Sequence, residues 1–259
     1  MARVEILRGA LDGHWLEDFE QLCRRWFSSV EQRLADPREL AAFPALEMLG
    51  KQSGLPLNLF LDQTKPPPGI EQFYDMIARC SVWDDIAGGE PLFLIKDYCS
   101  VRRQKPDEIH RSFGWHQDSV VVSWTSKTTL VFPGYVAWVP ITPIDADTPT
   151  LQIIRDWSAK QLEHNAGGKT GYLESTTVPT GEIMTVSDLA RGDVLLFDLN
   201  CPHRTHVKPS MTKDRLSVDL RLVRQRPGTY RGELIPLTNF SKLPNGSGSE
   251  RRLSLSLSS

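Results

Sequence analysis

Gly114-Trp115-His116-Gln117-Asp118 sets an imidazole and a carboxylate two positions apart. In an extended chain, residues two apart point the same way. His116 and Asp118 can then aim at one point. A second histidine would complete a set of two histidines and one carboxylate on one face of a metal. That set leaves three neighbouring positions open and suits non-haem Fe(II), which must take both a co-substrate and dioxygen. Taken alone, His-x-Asp is weak, because a histidine beside an aspartate is more often a surface pair.

Support lies further along the chain. Asp193–Phe197 reads as a strand, and the loop after it carries His203 and His206. The turn-rich segment Lys208–Asp214 follows. From Arg215 to Leu222 the sequence alternates, with Leu216, Val218, Leu220 and Leu222 facing one way and Arg215, Ser217, Asp219 and Arg221 the other. If the two strands pair as a hairpin through that turn, His203 and Arg215 lie close together. An arginine fork grips a carboxylate through two parallel bonds. A metal and an arginine on one side of a barrel make a site for a chelating diacid. His206 rivals His203 as the third ligand, and Arg221 shares the face of Arg215.

The elements that must position these groups change character along the chain. Residues 14–35 have helical spacing through Trp15, Phe19, Leu22, Trp26 and Val30. Residues 37–68 are broken by prolines and read as short helical pieces and loops. Gly69–Ile86 reads as a second helix. From residue 90 the pattern becomes strand-like. The expected strands cover 92–101, 120–125, 129–132, 135–140, 150–154, 181–185, 193–199 and 216–223, separated by Gly, Pro and Asp. Short β-branched and aromatic runs of this kind form an antiparallel sandwich or barrel. A helical N-terminal third should therefore pack on an all-β remainder. We expect one domain over 1–240, helical to about 90 and β from about 91 to 225, with a disordered, low-complexity tail over 241–259.

The Trp-His-Gln-Asp motif, the strand Gly192-Asp-Val-Leu-Leu-Phe197, His203 and the arginine-bearing strand come in a familiar order. From Pro91 to Val223, about half of the chain, the sequence resembles the Fe(II)/2-oxoglutarate-dependent oxygenases, specifically the phytanoyl-CoA dioxygenase-like superfamily. The resemblance implies a mainly β (α+β) fold, with a double-stranded β-helix (jelly-roll, cupin-like) core flanked by N-terminal helices. It implies that His116, Asp118 and His203 bind iron, His203 fitting better than His206. It further implies that Arg215 and Ser217 hold the distal carboxylate of 2-oxoglutarate, with Thr205 and Gln117 near that co-substrate. The activity implied is use of dioxygen to couple oxidative decarboxylation of 2-oxoglutarate to hydroxylation of a small molecule. Desaturation, cyclisation and epoxidation are variants. Asp118 disfavours halogenation, since halogenating relatives have a small residue there. Rival readings are a 2-oxoglutarate-independent iron oxygenase and a cupin-like binding protein without catalysis; neither needs a diacid anchor.

Composition narrows the partners. Thirty basic and 32 acidic residues give a formal net charge of −2, so no basic excess points to nucleic acid or a membrane surface. No apolar run is long enough for a membrane span, and the N-terminus does not read as a signal peptide. Cys23, Cys80, Cys99 and Cys201 form no CxxC pair and are expected as free thiols in a reducing cytoplasm. The expected partner is a small metabolite or natural-product intermediate. His14, His110 and His164 read as surface or loop residues, and Arg102, Arg103, Lys105 and Arg111 as a solvated basic loop. Trp115, Trp124, Trp138 and Phe197 are candidates to line a pocket.

Overall fold

The computed structural model describes residues 3–38, 54–56, 70–120, 134–158, 161–165, 174–224 and 232–237. Strand 129–132, Trp124 and the tail lie outside these residues. So does strand 120–125 beyond Val120, and Val120 itself is helical rather than extended.

Strand β1 (Val4–Leu7) precedes helix α1 (Gly13–Leu34). The Asp12 side chain caps α1 by accepting from the His14 and Trp15 amides. Leu16, Phe19, Cys23, Trp26, Phe27 and Val30 form its buried stripe. After β2 (Gly54–Pro56), the expected second helix is two, α2 (Ile70–Arg79) and α3 (Val82–Ala87). The break has a local cause. The Trp83 indole Nε1 donates to the Ile77 carbonyl at 2.5 Å, and the Cys80 amide bonds the same carbonyl. A continuing helix would have offered that carbonyl to Ser81.

The remainder is β3 (Phe93–Ile95), β4 (Ser100–Gln104), β5 (Gly134–Pro140), β6 (Thr150–Ile154), the short β7 (His164–Asn165) and β8 (Glu174–Ser175), β9 (Ile183–Thr185), β10 (Val194–Asp198), β11 (His203–His206), β12 (Arg215–Val223) and β13 (Leu234–Pro236). The expected strand 92–101 is interrupted by a 3-10 turn at Lys96–Tyr98. The major antiparallel sheet runs β1-β10-β5-β12-β3-β13, with β4 also on β12 and β2 on β4. The minor sheet is β11-β6-β9. Two cores result. Leu216, Val218, Leu220 and Leu222 of β12 join α1, α2 and α3 on one face of the major sheet. On its other face, Val136, Trp138, Leu195 and Phe197 pack with Leu151 and Ile153 of the minor sheet. This is a mainly β jelly roll, helices on one face and a second sheet on the other, as the sequence led us to expect.

The expected hairpin is not formed. β5 lies between β10 and β12, and His203–His206 is a strand of the opposite sheet rather than a loop. The chain reverses after β10, where the Cys201 amide bonds the Asp198 carbonyl at 2.8 Å. That turn carries β11 across to pair with β6. Lys208–Asp214 thus returns the chain between sheets.

Candidate metal centre and co-substrate pocket

His116 and His203 face each other across an isolated antiparallel bridge. Each amide donates to the other's carbonyl at 3.0 Å. Their rings lie 4.1 Å apart, centroid to centroid. His116 Nδ1 donates to the Gly114 carbonyl at 2.8 Å and His203 Nδ1 to the Cys201 carbonyl at 3.1 Å. A carbonyl can only accept, so both Nδ1 atoms carry the proton and both Nε2 atoms keep their lone pair. Hydrogen bonds of this kind orient metal-ligating imidazoles. Asp118 completes the set, its Oδ1 at 3.8 Å from His116 Nε2. It reaches this point from the first turn of a helix rather than from extended backbone. Ligand atoms of the three residues all lie within 4.8 Å of one another, and all three residues are buried. This donor set fits a divalent metal with open positions.

Burial, then the neighbouring His203, pushes His116 well below its ordinary value, and burial also lowers His203. Burial pushes the Asp118 carboxyl up, but Arg221 and the two histidines more than offset this, so it lies well below the usual carboxylate range. Arg221 Nη2 donates to Asp118 Oδ1 at 2.9 Å, and Nη1 holds the Tyr98 carbonyl. Arg221 is thus engaged with the carboxylate ligand, which leaves Arg215 as the anchor candidate.

The histidine shifts predict a pH response. Unfolded histidines protonate near pH 6.5, whereas the folded pair resists. Below about pH 6.5 the unfolded chain binds more protons, so stability falls with pH. The melting temperature of the metal-free protein should therefore drop steadily between pH 7 and 5.5. A flat profile would contradict the buried neutral pair.

Arg215 and His203 do line one pocket between the sheets. Phe113, Trp138, Phe197, Thr205, Arg102 and Asp219 also line it. Arg215 is fully buried. Nη1 donates to the Thr150 carbonyl at 3.0 Å, while Nε and Nη2 have no hydrogen-bond partner among the described residues, nor does Ser217 Oγ. Burial lowers Arg215 to about 10, with Asp219 opposing and Arg102 assisting. The guanidinium stays charged at neutral pH. Buried donors without partners are rare in native proteins, and here they are spaced for one carboxylate. These donors suit a carboxylate, and His116 and His203 line the same pocket.

Other expected residues stand elsewhere. Gln117 is buried, but its side chain is bound to Asn200 and Leu162. Trp138 and Phe197 line the cavity, whereas Trp115 lies under the Arg204 guanidinium, 4.8 Å from ring to cation. The basic cluster is not a solvated loop. Arg102 is buried against Asp219 and over the Phe113 ring; Arg103 and Lys105 pair with Glu31 of α1; Arg111 pairs with Glu108. His14 and His110 are exposed, but His164 is half-buried and accepts from the Gln117 amide at 3.1 Å. Sequence reasoning missed Arg102, Asn200 and the work of Arg221. The alternation of β12 does place Asp219 and Arg221 on the Arg215 face.

No protein-family model matches the chain, and no curated protein sequence does either. Solved structures do. A non-haem monooxygenase, ThoJ, superposes with a TM-score of 0.56 at 16% identity, covering 92% of this chain and 81% of its own. SnoK, a non-haem alpha-ketoglutarate-dependent carbocyclase from nogalamycin biosynthesis, gives 0.54 at 12% identity, over 91% and 92%. HygX from Streptomyces hygroscopicus, with iron bound, gives 0.51 at 16% identity, over 89% and 85%. The chain therefore has the fold of the non-haem iron, 2-oxoglutarate-dependent oxygenases.

Proposed function

We propose that the protein is a non-haem iron dioxygenase. It couples oxidative decarboxylation of 2-oxoglutarate to oxidation of a small metabolite or natural-product intermediate, with hydroxylation the default outcome. The observation that carries this reading is the buried Arg215, with two donors unpaired among the described residues, in one cavity with His116 and His203. A 2-oxoglutarate-independent oxygenase, or a binding protein without catalysis, would leave that arginine with no work to offset its burial.

His116, Asp118 and His203 would hold Fe(II), which when bound supplies dioxygen activation. The residues do the rest. The two Nδ1–H bonds keep the imidazoles aimed. Arg221 holds the Asp118 carboxylate ionised and fixed. Arg215 and the Ser217 hydroxyl receive the distal carboxylate of the co-substrate, and Thr205 lines the same wall. Trp138, Leu151 and Phe197 give the pocket apolar walls, and a low-dielectric surround strengthens the charge pairing. Asp118 fills the position a halide would need, so oxygenation rather than halogenation follows. The likeness to SnoK, an enzyme of natural-product biosynthesis, supports a small-molecule substrate.

The test is succinate formation from 2-oxoglutarate by anaerobically loaded Fe(II) protein after admitting oxygen. We expect slow uncoupled succinate release, stimulated by a substrate found in a metabolite screen. No succinate from iron-loaded protein, with or without candidate substrates, would refute the reading.

A further inference from the structure

The ligands come from two chain segments, His116 and Asp118 from one and His203 from another. One side chain bridges both, and a third segment too. The Gln117 Nε2 donates to the Asn200 carbonyl at 2.6 Å and to Asn200 Oδ1 at 3.0 Å. Its Oε1 accepts from the Leu162 amide at 2.7 Å. Asn200 Oδ1 also accepts from Ser119 Oγ at 2.9 Å. The main chain repeats the link, since the Gln117 amide donates to His164 Nε2 and the Ser175 amide to the Trp115 carbonyl at 2.7 Å. The 161–165 segment, paired through β7 with β8, is thus hydrogen-bonded onto the residues that flank the metal ligands. Gln117 is fully buried, whereas Leu162 and His164 are only half-buried.

We propose that Gln117 is a positioning residue that couples metal binding to the seating of the 161–165 segment. The argument is geometric. A carboxamide is a rigid plane with donors at one end and an acceptor at the other. When Asn200 holds the donor end, the acceptor is aimed at Leu162; when Asn200 shifts, the acceptor turns away. A metal held by His116, Asp118 and His203 fixes the spacing of the two segments that Gln117 and Asn200 join. Filling the metal site therefore steadies the acceptor that seats Leu162. Coupling of binding equilibria is reciprocal, so a seated segment must raise metal affinity by the same factor. This rests on the metal-site reading given above, and it extends that site to a segment bearing no ligand.

The test uses Co(II), which is stable in air, and two readouts that need no turnover. In the wild-type protein, Co(II) should slow hydrogen exchange at the Leu162 amide by a factor in the range of about 5–150. In Gln117→Ala the cobalt dependence of that exchange should vanish, and Co(II) affinity should fall by the same factor. His164→Ala removes a half-buried ring without emptying the core, so it serves if the first variant does not fold. It should weaken Co(II) binding although His164 is no ligand. A purely structural role would lower the melting temperature but leave a metal-dependent exchange rate in Gln117→Ala. Equal Leu162 exchange with and without Co(II) in a wild-type protein that binds Co(II) overturns the coupling and leaves the metal site standing. Unchanged Co(II) affinity in both variants does the same. Failure of the wild-type protein to bind Co(II) overturns the metal site and the coupling with it.

Discussion

Asp118→Ala should abolish metal binding and lower the stability of the metal-free protein at the same time. The first effect follows from losing the sole carboxylate of the triad. The second follows from Arg221, which is buried and bonded to that carboxylate at 2.9 Å. Removing one partner of a buried ion pair leaves a charge uncompensated, at a cost of about 3–5 kcal/mol. His116→Ala removes a ligand without stranding a charge, so it should lose metal with a much smaller fall in melting temperature. Asp118→Asn should sit between them in stability, because a carboxamide oxygen can still accept from Arg221. Metal titration alongside thermal melts separates the three. Full metal occupancy in Asp118→Ala, or equal melting temperatures for the two alanine variants, would sink this assignment.

Arg215→Met should move stability and function in opposite directions. In the metal-free protein the Arg215 guanidinium is buried with Nε and Nη2 unpaired among the described residues. Leaving buried donors unmade costs about 1–3 kcal/mol, so an apolar side chain of similar length should raise the melting temperature. The same change removes the charged partner of a carboxylate. A hydrogen bond to a charged group contributes about 1.5–3 kcal/mol, or roughly 10–150-fold in affinity. We expect 2-oxoglutarate binding to weaken by that factor, with metal affinity unchanged. Calorimetric titration of 2-oxoglutarate into Co(II)-loaded protein measures it. Wild-type affinity in the variant would remove Arg215 as the anchor.

Much of this was legible in residue order. The alternation of 215–222 separates the two faces of β12, because one row is apolar and the other polar or charged. Helix α1 was equally plain, since its stripe and charges leave one way to pack. The pairing of strands was not legible. Nothing local distinguishes a turn that closes a hairpin from one that crosses to a facing sheet, so β11 read as a loop and β10 as the partner of β12. The α2–α3 break depended on an indole reaching back to Ile77. The role of Gln117 depended on Asn200 and Leu162, far from it in sequence. Arg102 read as solvated because its neighbours are charged, while its own side chain turns inward onto Asp219.

All nine residues of β12 are buried. One row of side chains, Leu216, Val218, Leu220 and Leu222, belongs to the helix-side core; the other comprises Arg215, Ser217, Asp219 and Arg221 on the side of the pocket and the metal ligands, and Val223 in the core between the sheets. Such a strand offers evolution no neutral position. A register slip by one residue would exchange the two rows wholesale, so single substitutions cannot gradually reassign its faces. New substrates must then be acquired at segments that carry neither row, with β12 inherited as a block. A library saturating all nine positions should return a near-continuous band of loss, while the exposed Ile183 and Val178 accept most replacements.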